Sequence, residues 1–371
     1  MDLFDLRENL GAKIATIMEE KKITKVELCR KTGISRPTLD KMLSGKITNK
    51  TNYDKHLQKI MKELKVTTEF LVGNIEKNRT RTIRQLMSRS IDEISKATEI
   101  SVERLKSIEC GGKASIKEWR DIAVVLGTGV NILKNKNFFS SQISEMSLLI
   151  EKKGEDNNNG RISGFWGHVG ILPVNAPKYK WYPITLDTVK FIQQDMNNQC
   201  MVIPCMDNKV LYLNTDNINR IVLLDEACSP PVDLDWSFKE GEGEIPLVVY
   251  ESLEDYSMGE MQDMSPRFID YIHAIIEDNK WDDDSVDSII NGITIYYTDG
   301  RVECDEIVFD EYENVSELVA DTYEYSDYIT QDEMIYFTGY DERKNNIRLK
   351  NVAMIELPLI KTENAICKEC C

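Results

Sequence analysis

Histidine is nearly absent. The 371 residues hold three, His56, His168 and His273, none beside a cysteine or carboxylate at the spacing that a metal ion or an activated nucleophile requires. There is no H-E-x-x-H, no G-x-S-x-G and no glycine-rich loop running into Lys-Ser/Thr. Zinc proteolysis, esterase chemistry and P-loop nucleotide hydrolysis therefore have no recognisable carrier. No apolar run approaches the roughly 18 residues that span a bilayer, and Asp2, Asp5 and Glu8 stand where a signal peptide would start basic. Nine cysteines, odd in number, are scattered at 29, 110, 200, 205, 228, 304, 367, 370 and 371, without the density of a disulfide scaffold, so reduced thiols are expected. Cys200 and Cys205 flank a short apolar strand and read as core residues. Cys367 and Cys370 give half of a zinc knuckle, and no second Cys-x-x-Cys completes it. Asp282, Asp283 and Asp284 lack the alternating ligands and glycine of a calcium loop and read as a solvated turn. His168, among small neighbours in a strand-like run, reads as a core or edge histidine. No enzyme activity, metal or cofactor is expected, and the expected site of action is the cytoplasm, away from membranes.

Charge is abundant but unevenly placed. Residues 1–140 hold 28 Lys and Arg against 18 Asp and Glu, a net +10, whereas the remainder holds 18 against 45, a net −27. A +10 segment can neutralise DNA phosphates, and a −27 segment is driven away from the same polyanion. Any nucleic-acid contact therefore belongs to the first half, and the second half is free to face a basic protein partner or a small ligand.

Within the basic half, Thr24 followed by Glu27 has the spacing of a capping box, which starts a helix at Lys25. Gly33 can take the left-handed conformation that stops it. Ser35 can cap a second helix whose first turn tolerates Pro37, because no N–H donor is needed there. Leu28, Ile34, Leu39 and Met42 then point inward, leaving Ser35, Arg36, Thr38 and Lys41 outside. This layout resembles the Cro/CI-type (XRE) helix-turn-helix family over roughly residues 5 to 74. By that resemblance the second helix enters the major groove of double-stranded DNA with its N-terminal residues at base edges. Arg36, Pro37 and Lys41 fall at base-reading positions, Arg36 being able to bond guanine O6 and N7 together. Ser35, Thr38 and the loop Lys46-Ile47-Thr48-Asn49-Lys50 fall where the family grips phosphates. Thr24 and Lys25, at the start of the first helix, complete the candidate set.

The pattern recurs 66 positions on without a gap: Leu28 with Ile94, Ile34 with Ile100, Ser35 with Ser101, Leu39 with Leu105, Met42 with Ile108, Gly45 with Gly111. Ser90 with Glu93 and Ser115 with Glu118 are further capping boxes, the last opening a helix from Ile116 to Leu126. The second copy is degenerate as a reader, since Glu99 replaces the turn glycine and Val102, Glu103 and Ser107 replace Arg36, Pro37 and Lys41. Its candidate DNA contacts are Ser101, Arg104, Lys106 and Lys113; the alternative is a helical platform that dimerises or sets the angle of the first copy.

Residues 151–163, polar and holding three consecutive asparagines, read as a linker. Ahead of it, Phe138 to Ile150 has the helical spacing of a last or dimerising helix. From Gly164 on, short β-rich runs take over. Trp166 to Leu172, Tyr179 to Ile184, a helix at Leu186 to Met196, Cys200 to Cys205, Lys209 to Leu213 and Ile218 to Leu224 give β-β-α-β-β-β. The same order returns with Gly292 to Thr298, Arg301 to Phe309, a helix at Val315 to Tyr323, Met334 to Phe337, Asn346 to Leu349 and Val352 to Leu357. Asn217 aligns with Asn351, Ile218 with Val352 and Ile221 with Ile355, so the half reads as a duplication of two small curled sheets side by side. In outline alone each copy resembles an Sm-like barrel, and no residue role carries over.

The expected architecture is a multidomain α plus α+β chain. Residues 1–76 form a helix-turn-helix domain, 77–150 a second, degenerate one, 151–163 a linker, 164–228 the first β-rich repeat, 229–289 an insert with a helix, and 290–371 the second repeat with its cysteine tail. The resemblance implies a sequence-specific, nucleoid-associated transcriptional regulator, a repressor acting as a homodimer, whose acidic half senses, oligomerises or binds a partner. The alternative is an inhibitor- or antitoxin-like protein whose acidic half caps a basic partner while the helix-turn-helix half autoregulates.

Overall fold

A computed structural model describes residues 3–73, 75–139, 165–226, 228, 245–307, 313–325, 334–339 and 342–369. The chain forms two compact units, one from residues 1–126 with 130–136, the other from 127–129 with 137–371. The expected linker lies outside the described residues, as does the helix expected to end at Ile150 except for its first two positions. Phe138 and Phe139 pack into the core of the second unit, Phe139 fully buried.

The first unit is helical: α1 (Arg7–Glu20), α2 (Lys25–Thr32), α3 (Arg36–Leu43), α4 (Lys50–Leu64), α5 (Thr68–Val72), α6 (Thr80–Leu86), α7 (Ile91–Thr98), α8 (Val102–Glu109), α9 (Ile116–Val125) and α10 (Val130–Leu133). The 66-residue repeat is real in three dimensions, with α2 and α3 answered by α7 and α8. Leu28, Leu39, Met42, Leu57 and Ile60 close the first core with α1 residues Leu10 and Ile14. The second capping residues behave as the sequence indicates: Ser90 and Ser115 both form reciprocal boxes with Glu93 and Glu118. At Thr24 only half the box forms. Its hydroxyl accepts from the Glu27 N–H at 3.2 Å, but the Glu27 carboxylate turns to Lys31 one turn on, 3.1 Å away, because an i,i+4 ion pair competes for it.

One device escaped the sequence reading. Thr32 Oγ1 donates to Leu28 O at 2.7 Å and accepts from Ile34 N at 3.4 Å. Thr98 does the same to Ile94 and Ile100 at 2.8 and 3.3 Å. In both copies the threonine ties the end of one helix to the turn, satisfying a carbonyl and an N–H that would otherwise be left in the buried corner. The two modules share a seam. Asn9 Nδ2 donates to the Asn78 and Glu109 carbonyls (3.1 and 3.4 Å), and the Asn78 N–H returns to Asn9 Oδ1 (3.1 Å). Within the second module, Arg84 holds Glu109 through two nitrogens, 2.5 and 3.0 Å.

The second unit carries β1 (Phe165–Pro173), β2 (Lys180–Thr185), α11 (Leu186–Asp195), β3 (Cys200–Pro204), β4 (Lys209–Asn214) and β5 (Ile218–Asp225). Among the described residues four helices follow, α12 (Leu247–Tyr250), α13 (Leu253–Ser257), α14 (Pro266–Asn279) and α15 (Asp283–Asn291). The chain then gives β6 (Gly292–Tyr297), β7 (Val302–Glu306), α16 (Glu313–Tyr325), β8 (Met334–Thr338), β9 (Lys344–Arg348), β10 (Val352–Pro358) and α17 (Leu359–Glu369). Both copies show the expected β-β-α-β-β-β order, each with a 3₁₀ turn before its last strand, Thr215–Asn217 and Leu349–Asn351. The pairing repeats as well, with β5-β1-β2 answered by β10-β6-β7 and β3-β4 by β8-β9.

The two copies are not separate sheets laid side by side. Antiparallel pairing of β4 with β10, from Lys209↔Pro358 to Leu213↔Met354, joins them into the five-stranded sheet β3-β4-β10-β6-β7. Every residue of β10 is buried, as are the last five of β4. Strands apolar on both faces cannot stand at an edge, so they find each other. Inside this sheet, Glu356 accepts from Tyr182 and from the Tyr296 hydroxyl (2.6 Å), and lies 3.4 Å from Lys209 Nζ. Burial alone raises a carboxyl, but Lys209 and the two phenols outweigh it, so Glu356 titrates below its ordinary range. Asp282, Asp283 and Asp284 are solvated as expected, but they start a helix and do not form a turn. Asp282 Oδ1 accepts from Ser285 N at 2.9 Å and caps α15, with Asp283 and Asp284 in the first turn facing the positive end of the helix.

Candidate nucleic-acid interface

The helix pair α2–α3 is set by four short-range features. Thr24 caps α2, and Gly33 (φ +70°) turns the chain with its N–H on Cys29 O, 2.9 Å. Ser35 Oγ caps α3 by accepting from Thr38 N at 3.3 Å, while its hydroxyl and that of Thr38 lie 2.7 Å apart. Pro37 occupies the first turn. Leu28, Ile34, Leu39 and Met42, each at most 3% exposed, hold the pair down from behind.

On the outer face Arg36, Pro37 and Lys41 are exposed. Neither the Arg36 guanidinium nor the Lys41 ammonium has a hydrogen-bond or ion-pair partner among the described residues. Both cations are thus carried by a rigid helix and spent on nothing internal, which is the condition for reading or gripping an external polyanion. Lys25 is placed at the same end but is shared, with Nζ 2.6 Å from Asp40 Oδ1 across the two helices. Lys46, Thr48, Asn49 and Lys50 are exposed on the loop that buried Ile47 pins. Asn49 caps α4 by accepting from Asn52 N at 2.9 Å. Gly45 is forced by its surroundings: at φ +71° a Cβ would lie 2.5 Å from Glu8 Cγ and 2.8 Å from Glu8 Cα.

The equivalent face of the second module is arranged differently. Ser101 caps α8 as expected, accepting from Arg104 N at 3.2 Å. The Arg104 guanidinium, however, grips Glu118 through Nε and Nη2 (2.6 and 2.8 Å) and donates to Lys113 O at 2.7 Å. That fork holds the Glu118 carboxyl down to about 2. Lys106 pairs with Glu19 of α1 at 3.0 Å, and α8 packs on α1. Lys113 is exposed. The turn keeps its shape without glycine, Glu99 taking φ +61°, a backbone conformation that costs a residue with a Cβ about 1–2 kcal/mol.

Residues 13–77 match the family model described as the Cro/C1-type HTH DNA-binding domain. This segment is a Cro/C1-type helix-turn-helix domain. The chain that carries it is a DNA-binding protein of the transcription-regulator class. No curated protein and no solved structure matches the chain.

Elsewhere, His168 is buried on β1, and burial drops its pKa to about 4. Cys200 and Cys205 are buried in the β core. Among the described residues no group of three or more His, Cys, Asp or Glu could hold a metal ion, and no helix is long and apolar enough to cross a membrane.

Proposed function

We propose that the chain is a sequence-specific transcriptional repressor whose α3 lies in the major groove, with Arg36 and Lys41 on base edges beside Pro37. Thr24, Lys25, Ser35, Thr38, Lys46, Thr48, Asn49 and Lys50 fix its register on phosphates. The observation that carries this reading is the pair of cations on α3, exposed and without an internal partner, above a buried aliphatic floor. The second module is the first one's support: Arg104 and Lys106 are committed to Glu118 and Glu19, which leaves Ser101 and Lys113 as marginal contacts. One module reads about half a turn of duplex, so two copies of the chain on an inverted repeat complete the site. The acidic second unit senses a ligand, oligomerises or binds a partner, and the protein acts in the cytoplasm on the nucleoid with no reaction of its own.

Selection of bound duplexes from a random pool tests the reading. A common half-site recovered with the full chain, and lost with Arg36→Ala, supports it; indifferent recovery of all duplexes by the wild type refutes it. Light scattering of the chain on its selected duplex decides between two copies and one. The opposite charges of the two halves favour one second reading, an inhibitor whose −27 segment caps a basic protein. Capture of a basic partner that leaves operator affinity dependent on its concentration separates that reading from ligand sensing.

A further inference from the structure

An open groove of about 750 Å³ runs beside α3, and one of its walls belongs to the second module. Lys22, Lys25, Lys41 and Lys46 line it from the helix-turn-helix, and Arg81 and Gln85 line it from α6. Against these five cations stand two carboxylates, Glu19 and Asp40. Both are already engaged, Glu19 by Lys106 and Asp40 by Lys25. With Lys25 spent on Asp40, the groove still carries a surplus of positive charge from Lys22, Lys41 and Arg81, next to Thr24 and Lys25, where the proposed reading has the first module meet the backbone. Arg81 and Gln85 lie outside residues 13–77, which the family model covers.

We propose that α6 extends the DNA contact of the first module, with Arg81 and Gln85 taking a backbone phosphate of the duplex that α3 reads. The inference rests on the repressor reading above and adds a role for the second module that its own helix pair does not supply. The second module touches DNA chiefly through the side of its first helix, with the α8 cap Ser101 and with Lys113 as marginal contacts. Phosphate contacts of this kind set register and affinity without selecting bases, and each one adds about 0.9 to the slope of log affinity against log salt.

The test uses the full chain and its selected duplex, with binding followed by fluorescence anisotropy between 50 and 200 mM KCl. Gln85 is exposed on a helix surface, so Gln85→Lys and Gln85→Glu leave the fold intact. Gln193→Lys, an exposed position in the second unit, makes the same change in net charge far along the chain. Gln85→Lys is expected to steepen the slope by about 0.9, which widens the affinity ratio between the two salt concentrations about 3.5-fold. Gln85→Glu weakens binding at low salt, Arg81→Gln flattens the slope by a similar amount, and base preference is unchanged in all three. A Gln85→Lys slope indistinguishable from that of Gln193→Lys overturns the proposal. So does calorimetric binding of AMP to the DNA-free chain that Gln85→Glu abolishes, since the groove would then hold a free phosphorylated ligand instead of the duplex. Failure of Arg36→Ala to alter base preference would sink the repressor reading by itself and is scored on a different variant.

Discussion

Arg36 and Arg104 open their respective helices at nearly matching positions, and the structure gives them opposite fates that a pair of alanine variants will expose. Arg36 is the first residue of α3, exposed and with no internal partner for its guanidinium. If the proposed reading holds, replacing it removes a base contact of about 1–3 kcal/mol, which is roughly 5- to 150-fold in affinity. The fold should not notice, because arginine and alanine are both good helix formers. Arg104 makes three internal hydrogen bonds, two to Glu118 and one to Lys113 O. Its side chain is 38% exposed, so water screens the pair and its net contribution is held to about 1 kcal/mol. For a helical unit of this size that is a drop of about 3–5 °C in Tm. DNA affinity should change by less than about twofold, since the guanidinium was never available to the duplex. Anisotropy titrations at two salt concentrations, with calorimetric melts of the same samples, read both quantities. An Arg104→Ala chain that melts like wild type while losing tenfold or more in affinity would refute the assignment of the second module to support.

Glu99→Gly should raise the stability of the first unit by about 1 kcal/mol in a denaturant melt, because glycine accepts φ +61° without the steric penalty; no gain would mean that the glutamate side chain offsets its own strain. Glu363, buried beside the Phe139 N–H that donates to it at 3.0 Å, has its pKa raised to about 8, chiefly by burial. Its folded value lies above its unfolded one, so the stability it confers is complete below about pH 4.5 and is lost as pH rises through 8, an effect on the order of a few kcal/mol. Melts at pH 5, 7 and 9 should show this decline, and Glu363→Gln should flatten it. Glu356→Ala leaves the Tyr182 and Tyr296 hydroxyls without their acceptor inside the sheet, while Lys209, 42% exposed, keeps Asp207 at 3.8 Å. It should cost about 2–4 kcal/mol, measured by the denaturation midpoint, and a loss under about 1 kcal/mol would mean that the network is solvated.

What could be read from residues alone was whatever depends on neighbours in the chain. Caps, the left-handed Gly33, the inward set Leu28, Ile34, Leu39 and Met42, and the period-2 strands are local, and all ten strands appeared within a few residues of their expected places. The 66-residue repeat was legible for the same reason, since copying a sequence copies its short-range hydrogen bonds. Thr32 and Thr98 were in that pattern too, and their repetition was the signal that could have revealed the turn latch.

Partner choice, whether between near competitors or over long separations, could not be read. Whether Glu27 returns to Thr24 or goes to Lys31 is a contest between two nearby donors. Whether Arg104 faces solvent or Glu118 depends on where α9 docks, and Lys106 is committed because α1, 87 residues earlier, brings Glu19 beside it. The β4–β10 junction spans a still longer separation, and only packing reveals that two strands apolar on both faces must bury each other. The basic groove is of the same kind: Lys22 and Gln85 line one groove from its two sides because the modules close against one another, which no spacing within either copy encodes. Sequence thus determined the elements and their cations by short-range sterics and hydrogen bonding. Tertiary structure decided which cations remain for DNA, because charge is cancelled or kept according to what folds next to it.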